Sequence, residues 1–304
     1  MKMIMVFGMG GIGGYVGARL GAVAGKAGFE LSFIARGAHL EAIKAKGLRF
    51  RSPEGVESVV RPTIAASDPA TVGIVDLVFL CVKGYDLESA CRALAPSVGP
   101  KTVIVPLLNG ADIHQRVRAI LRVGIVLPAG IYISSSVAEP GLVVHAGGKG
   151  NLFIGREPGG SSFDPSLLRS VLTATGIPYE WLEDPRAAVW TKYLFIASYG
   201  LVTGMSGKTI GGVLTDEELS ALVRGIQDEI AAIAKAEGVA LAADAAAAAF
   251  EKGKGFPPAT KTSYQRDLEV PGKPNEGDLF GGTILALGRK HGIPTPMTEK
   301  AYPR

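Results

Sequence analysis

Residues 3–36 read MIMVFGMGGIGGYVGARLGAVAGKAGFELSFIAR. Five apolar residues, Met3 to Phe7, run into the glycine-rich turn GMGGIG, Gly8 to Gly13. Helical spacing of Val16, Leu20 and Val23 follows, Gly28 closes that helix, and ELSFIAR reads as a second strand. A strand, a tight turn, a helix and a strand within about 30 residues predict a βαβ unit. The turn fits G-x-G-x-x-G, and each glycine has a task. Gly8 makes the tight turn, Gly10 lets a pyrophosphate approach the backbone, and Gly13 lets helix and strand pack closely. The phosphate lies at the helix N-terminus, where free N–H groups and the dipole favour an anion. Gly8, Met9, Gly10, Gly11, Ile12 and Gly13 are therefore expected to bind a dinucleotide. The alternative is a structural turn in a glycine-rich chain.

The alternation continues outward from this unit. VDLVFLCVK (75–83) reads as a strand, YDLESACRALAPSV as a helix, and KTVIVPLLNG as a strand ending in an Asn109-Gly110 turn. GIVLPAGIYISSSVAEPGLVVHAGGKGNLFIG reads as extended segments linked by Pro-Gly and Gly-Gly turns. LLRSVLTATG and PYEWL add a helix and a short strand. After about residue 185 the pattern changes. ELSALVRGIQDEIAAIAKAEG is amphipathic, with Leu219, Leu222, Ile226, Ile230 and Ile233 on one face. LAADAAAAAFEKG favours helix by composition. TKTSYQRDLEV and GDLFGGTILALGRKHG read as helical too, and no strand is expected there. The expected architecture is an α/β Rossmann-type domain over residues 1–184 and an all-α domain over residues 185–304.

The totals agree with a protein of this kind. A chain of 304 residues fits one large or two ordinary domains. It is 47% hydrophobic and 20% charged, enough for a sizeable core. The net charge of +4 is spread without a Lys/Arg block, which argues against nucleic acid as a partner. With Cys81 and Cys91 alone, and no secretory apolar stretch at MKMIMVFGMGG, reduced thiols in the cytoplasm are expected. No unbroken apolar stretch of about 18 residues predicts a membrane span. His39, His114, His145 and His291 are scattered, so no metal site is expected. The apolar helical half is of a type that buries a dimer interface, which keeps a homodimer open.

Further residues invite a chemical reading. An NAD site places Asp or Glu at the end of the second strand. This chain has Arg36 there, 23 residues after Gly13. Its guanidinium can fork onto a 2′-phosphate and stack on adenine, favouring NADP(H). Glu30 does not compete, because it is expected to precede the strand. Lys83 ends one strand and Asn109 another, both at the sheet edge where open α/β folds bind ligands. The plainer readings are a solvated lysine and an ordinary Asn-Gly turn. Lys192 stands in the apolar run AAVWTKYLFIASYGLVTGMSG, 187–207. It is either a lysine snorkelling to solvent or a general acid whose ammonium meets a developing alkoxide. Ser263, Asp267, Glu269, Asn275 and Glu276 crowd a polar segment whose default reading is a charged loop and a helix start, with Asn275 or Glu276 near the cap.

Taken together, GMGGIG, IARGAHLEAIKAKGL, CVKGYD, LLNG, EPGLVVHAG, VWTKYLF, SYQRDLE, KPNEGDLFGG and GIPTP resemble the ketopantoate reductase family along nearly the whole chain. The resemblance implies NADPH-dependent reduction of 2-dehydropantoate to pantoate, on the route to pantothenate and coenzyme A. It implies a Rossmann domain, a helical domain and an active site in the cleft between them. It makes Lys192 the proton donor and Glu276 the acid that balances it and helps hold substrate. Ser263 contacts substrate, Asn109 lies at the cofactor–substrate junction, and Arg36 and Lys83 bind the cofactor phosphates.

Two positions depart from the family. Asparagines that grip the substrate usually follow the lysine by four and eight residues; here Ile196 and Gly200 stand there. Ser198 and Tyr199 lie on other helix faces. The loop from Asp267 to Glu276 is about one residue longer than usual. Loss of polar partners removes discrimination, so a reductase of a more apolar or bulkier 2-oxo acid is the alternative. A non-catalytic NADP-binding sensor is the reading from another class, and the retained Lys192 and Glu276 speak against it.

Overall fold

The computed structural model describes residues 1–157, 159 and 163–302; residues 303 and 304, the end of the expected second domain, lie outside them. The chain divides into two compact units. The first comprises residues 1–108 and 113–185, the second residues 109–112 and 186–304.

In the first unit, β1 (Lys2–Phe7) leads into α1 (Gly11–Gly21), a short α2 (Ala24–Ala27) and β2 (Phe29–Ile34). The helix expected to run on to Gly28 is thus two pieces, and the first starts inside the glycine motif. Gly17, Gly21 and Gly25 weaken a continuous helix, and Val60 packs where a Gly21 side chain would stand. Gly28 closes the second piece at φ +71°. Then follow α3 (Gly37–Lys46), β3 (Leu48–Arg51), β4 (Glu57–Val60) and β5 (Ile64–Ala66). The sequence reading did not anticipate these three short strands. β6 (Val75–Leu80), α4 (Leu87–Leu94), β7 (Val98–Pro106), α5 (Ile113–Ile120) and β8 (Ile125–Val126) complete the first sheet.

That sheet has the order β5-β2-β1-β6-β7-β8, and all its pairings are parallel. Its central strands are buried, as the apolar runs MIMVF and VFL require of a sheet covered on both faces. This is the Rossmann-type arrangement the glycine motif predicts.

The extended segments after residue 125 build a second sheet. β9 (Ala129–Glu139) and β10 (Leu142–Gly155) are antiparallel across the Pro140-Gly141 turn, where Gly141 has φ +81°. After α6 (Ser166–Thr175), β11 (Tyr179–Leu182) pairs with the end of β10, β3 pairs with its beginning, and β4 pairs with β3. Gly147-Gly148 is not the turn expected from sequence. It is an irregularity within β10, where His145 Nε2 donates to the carbonyl oxygens of Gly147 (3.2 Å) and Gly148 (2.7 Å). A side chain bonded to its own strand displaces the ladder there.

The second unit is helical, with no strand among its described residues. It comprises α7 (Arg186–Ser206), α8 (Ile210–Leu214), α9 (Glu217–Ala236), α10 (Ala245–Lys254) and α11 (Ser263–Leu268). A π-turn at Asp278–Gly282 leads into α12 (Thr283–His291), and α13 (Pro296–Ala301) follows. The apolar face expected on α9 is buried from Leu222 to Ile233, and Asp216 caps the helix by accepting from Leu219 N at 3.1 Å. No helix among the described residues is long and apolar enough to cross a membrane.

One buried carboxylate ties this unit together. Glu229 of α9 accepts from Met297 N (2.7 Å), Thr298 N (3.0 Å) and Thr298 Oγ1 (2.6 Å), and so caps α13 from outside. Bonds to a charged acceptor are the stronger kind. Glu229→Ala is expected to destabilise the fold by about 2–3 kcal/mol, read as a lower denaturant midpoint.

Candidate active site

The first unit brings the glycine turn, Arg36 and Lys83 to one edge of its sheet. Phe7 of β1 lies opposite Ile34 of β2 and Leu80 of β6. Gly8, Arg36 and Lys83 therefore leave one edge of the sheet, one, two and three residues beyond that register. The chain turns from β1 to β2 on one side and later crosses to β6 on the other, so this edge is the topological switch point. Gly8 N donates to Ile34 O (3.0 Å) and Cys81 N to Phe7 O (2.7 Å), which fixes the strand ends.

The glycines differ in what surrounds them. Gly8 has φ +96°, and a Cβ there would stand 2.8 Å from the backbone of Cys81 and Val82. A Cβ on Gly13 would lie 1.9 Å from Gly8 O, and one on Gly11 2.1 Å from Ser135 O of β9. Gly10 alone among these four faces open space, with nothing within 4 Å of an added Cβ. It is also the N-cap of α1 and brings no side-chain acceptor. The helix ladder begins with Gly14 N donating to Gly10 O at 2.7 Å, so the turn before it presents main-chain N–H groups to an incoming anion. Met9 is buried and Ile12 half-buried, which leaves their backbone as their contribution. An open glycine before an uncapped helix start fits a dinucleotide pyrophosphate.

Arg36 is 74% exposed in its side chain, and its Nη2 donates to Asp86 Oδ2 at 2.5 Å. The sequence reading missed Asp86, although it belongs to the same CVKGYD loop as Lys83. Lys83 is half-buried and precedes a 3₁₀ turn at Gly84–Asp86. Glu30 lies inside β2, opposite Met3, rather than before the strand. Correcting its position leaves it at the far end of β2 from Arg36.

The second unit builds a cluster around Lys192. The lysine is 7% exposed on α7 and donates to Asn109 Oδ1 at 2.9 Å. Asn109 reaches it from residues 109–112, the short stretch that belongs to this unit. Burial pulls the Lys192 pKa down to about 8; the Glu276 carboxylate opposes the fall and the Lys252 ammonium adds to it. Glu276 is itself buried, at 4% exposure. Its segment is held by Tyr193, whose hydroxyl donates to Leu279 O (2.9 Å) and Phe280 O (2.7 Å) in the π-turn. The sequence reading named neither Tyr193 nor Lys252; both roles depend on contacts more than 50 residues apart.

Ser263 is placed differently. It is the exposed first residue of α11, whose Thr262 cap bonds Thr203 at 2.8 Å and whose Tyr264 packs on Gly200 and Gly204. Those α7 positions begin eight residues beyond Lys192, about 12 Å along the helix axis.

The two departures have distinct structural meanings. Ile196 is half-buried and keeps an open side. A Cβ on Gly200 would meet the Phe280 ring at 3.3 Å, so an aromatic ring fills that place. Tyr199, seven residues beyond Lys192 on the same helix, shares its face rather than lying on another as expected, yet neither it nor Ser198 offers a polar substitute. Ser198 Oγ donates to Leu194 O (2.6 Å) and accepts from Gln227 Nε2 (3.1 Å), and Tyr199 OH donates to Phe250 O (2.8 Å). No group of three or more His, Cys, Asp or Glu among the described residues is placed to hold a metal ion.

Comparison with known proteins adds to this geometry. The model of Ketopantoate reductase PanE/ApbA matches residues 4–159, and that of Ketopantoate reductase PanE/ApbA C terminal matches residues 184–303. A 2-dehydropantoate 2-reductase of Mesorhizobium japonicum is 33% identical, over 97% of this chain and 94% of that protein. Among solved structures, a PanE/ApbA family ketopantoate reductase from Ralstonia eutropha JMP134 has a TM-score of 0.87 at 31% identity, covering 99% and 96% of the two chains. D-mandelate dehydrogenase, solved with NADH and anilino(oxo)acetate, has a TM-score of 0.85 at 20% identity, covering 99% and 96%. That last likeness is one of fold.

Proposed function

The chain belongs to the ketopantoate reductase family, and from that premise we propose that it reduces 2-dehydropantoate to pantoate with NADPH. The observation that carries the reading is Lys192: a buried ammonium, held on Asn109, with a pKa of about 8. A general acid works best when its pKa lies near the operating pH.

The nicotinamide, when bound, supplies a hydride to the keto carbon. The residues do the rest. Main-chain N–H groups at Gly11 to Gly13 receive the pyrophosphate, and Arg36 and Lys83 receive the phosphates nearer the adenosine end. Asn109 Oδ1 orients the Lys192 ammonium. Lys192 Nζ donates its proton to the carbonyl oxygen as negative charge develops there. The C–O product is a hydroxyl, and the neutral amine regains a proton from solvent. Glu276 steadies the charged form of Lys192.

A second reading keeps the reaction and changes the substrate. Phe280 over Gly200 and the open side of Ile196 make this face of α7 apolar, which suits a 2-oxo acid with a larger apolar group.

The test follows NADPH oxidation by absorbance with 2-dehydropantoate beside a panel of 2-oxo acids, with NADH run in parallel. Fast turnover of 2-dehydropantoate, stronger with NADPH, is expected. Preference for a bulkier acid selects the second reading. Bound NADPH without turnover of any acid overturns both in favour of a sensor.

A further inference from the structure

We propose that Lys252 anchors the substrate carboxylate, beside the ketone that Lys192 protonates. The inference rests on the reading of the chain as a 2-oxo acid reductase. In such a substrate the carboxylate carbon is bonded directly to the carbonyl carbon. The anion therefore enters wherever the ketone does, and it needs a donor within about one helical turn of Lys192.

The α7 face around Lys192 offers none. Positions three, four, seven and eight beyond a residue share its face; here they are Phe195, Ile196, Tyr199 and Gly200. Phe195 and Ile196 have no polar atom, the Tyr199 hydroxyl is committed to Phe250 O, and Gly200 lies under Phe280. Burying a carboxylate against this surface without a charged partner is costly.

Lys252 is the cation the fold brings there. It lies on α10, and its Nζ stands 5.4 Å from the centroid of the Phe195 ring, one turn from Lys192. Phe195 also stacks on Phe256, at 5.2 Å between centroids and 13° between planes, and Phe256 is 37% exposed. Lys252 is exposed as a residue, while its ammonium lies over this aromatic surface and is partly desolvated there, which lowers its pKa. The charged groups that act on Lys192 are Glu276 and Lys252, one of each sign. Two ammonium groups that repel each other accept one carboxylate between them, and the apolar remainder of the acid is left against Ile196, Phe195 and Phe256.

The test uses Lys252→Met and Lys252→Arg in the NADPH-loaded full chain. The probe is oxamate, which keeps the carboxylate and carbonyl of a 2-oxo acid but resists hydride. Its dissociation constant is read from NADPH fluorescence. Lys252→Met is expected to weaken oxamate roughly 30-fold or more, the scale of a lost charge-assisted bond, with Lys252→Arg close to wild type. The KM of a turned-over acid should rise by a similar factor, with kcat changed far less. The alkaline limb of kcat/KM should move up from about 8, because a repelling charge has gone. Oxamate binding within twofold of wild type in Lys252→Met, or no oxamate binding to wild type, overturns the anchor. If oxamate binds through Lys252 but no 2-oxo acid is turned over, the reductase reading fails and the anchor stands.

Discussion

Lys192→Ala is expected to lower kcat by roughly 10²- to 10⁴-fold, the range for a lost general acid. NADPH affinity should stay near wild type, since the glycine cradle belongs to the other unit. An equal loss of turnover and cofactor affinity would overturn the assignment. The pH profile gives a second readout. Burial favours the neutral amine and lowers the Lys192 pKa to about 8. The ammonium, the form able to donate a proton, therefore prevails below that pH. Activity in the direction of reduction should be full below about 8 and decline as pH rises through it. Glu276→Gln removes the one charge that opposes the shift, so the decline should begin at lower pH.

Gly13→Ala and Gly10→Ala should both abolish tight NADPH binding, for different reasons. The Gly13 Cβ would stand 1.9 Å from Gly8 O and 3.1 Å from Cys81 Cβ, with backbone rather than a flexible side chain in the way. The turn must open, and overpacking of this kind costs about 1–3 kcal/mol. Stability and affinity should fall together. Gly10 sits at φ −70° and ψ −158°, which alanine tolerates, and a Cβ there meets nothing within 4 Å. Gly10→Ala should melt like wild type and bind NADPH at least about tenfold more weakly, through a methyl placed where the phosphate approaches. Wild-type affinity in Gly10→Ala would show that the anion does not come to this turn.

The βαβ start, the glycine turn and the change to helices after residue 185 were legible because they rest on local periodicity. β3, β4 and β5 were not. LRFR alternates apolar and charged residues over only four positions, ESVV puts two polar residues before two valines, and IAA is shorter still. What makes them strands is the neighbour each pairs with: β10 for β3, β3 for β4 and β2 for β5. The irregularity at Gly147 is hidden for a similar reason: it depends on where the His145 ring folds back. At the candidate site, Lys192 stood out as a charge in an apolar run, whereas Glu276 sat among other polar residues and was marked only by the family resemblance. Asp86 on Arg36, Phe280 over Gly200 and Lys252 over Phe195 are pairings between distant segments, and periodicity carries no information about them.

Residues 109–112 leave the first unit, join the second, and the chain then returns. The helical half is therefore not a transferable cassette. A chimera joined at residues 185 and 186 would carry Lys192 from one parent and Asn109 from the other. The lysine would depend on an acceptor that had drifted in a separate lineage. Recombination within this family should be tolerated only when LLNGAD travels with the helical half, and a gene fragment encoding residues 186–304 alone would lack the amide that orients its own lysine.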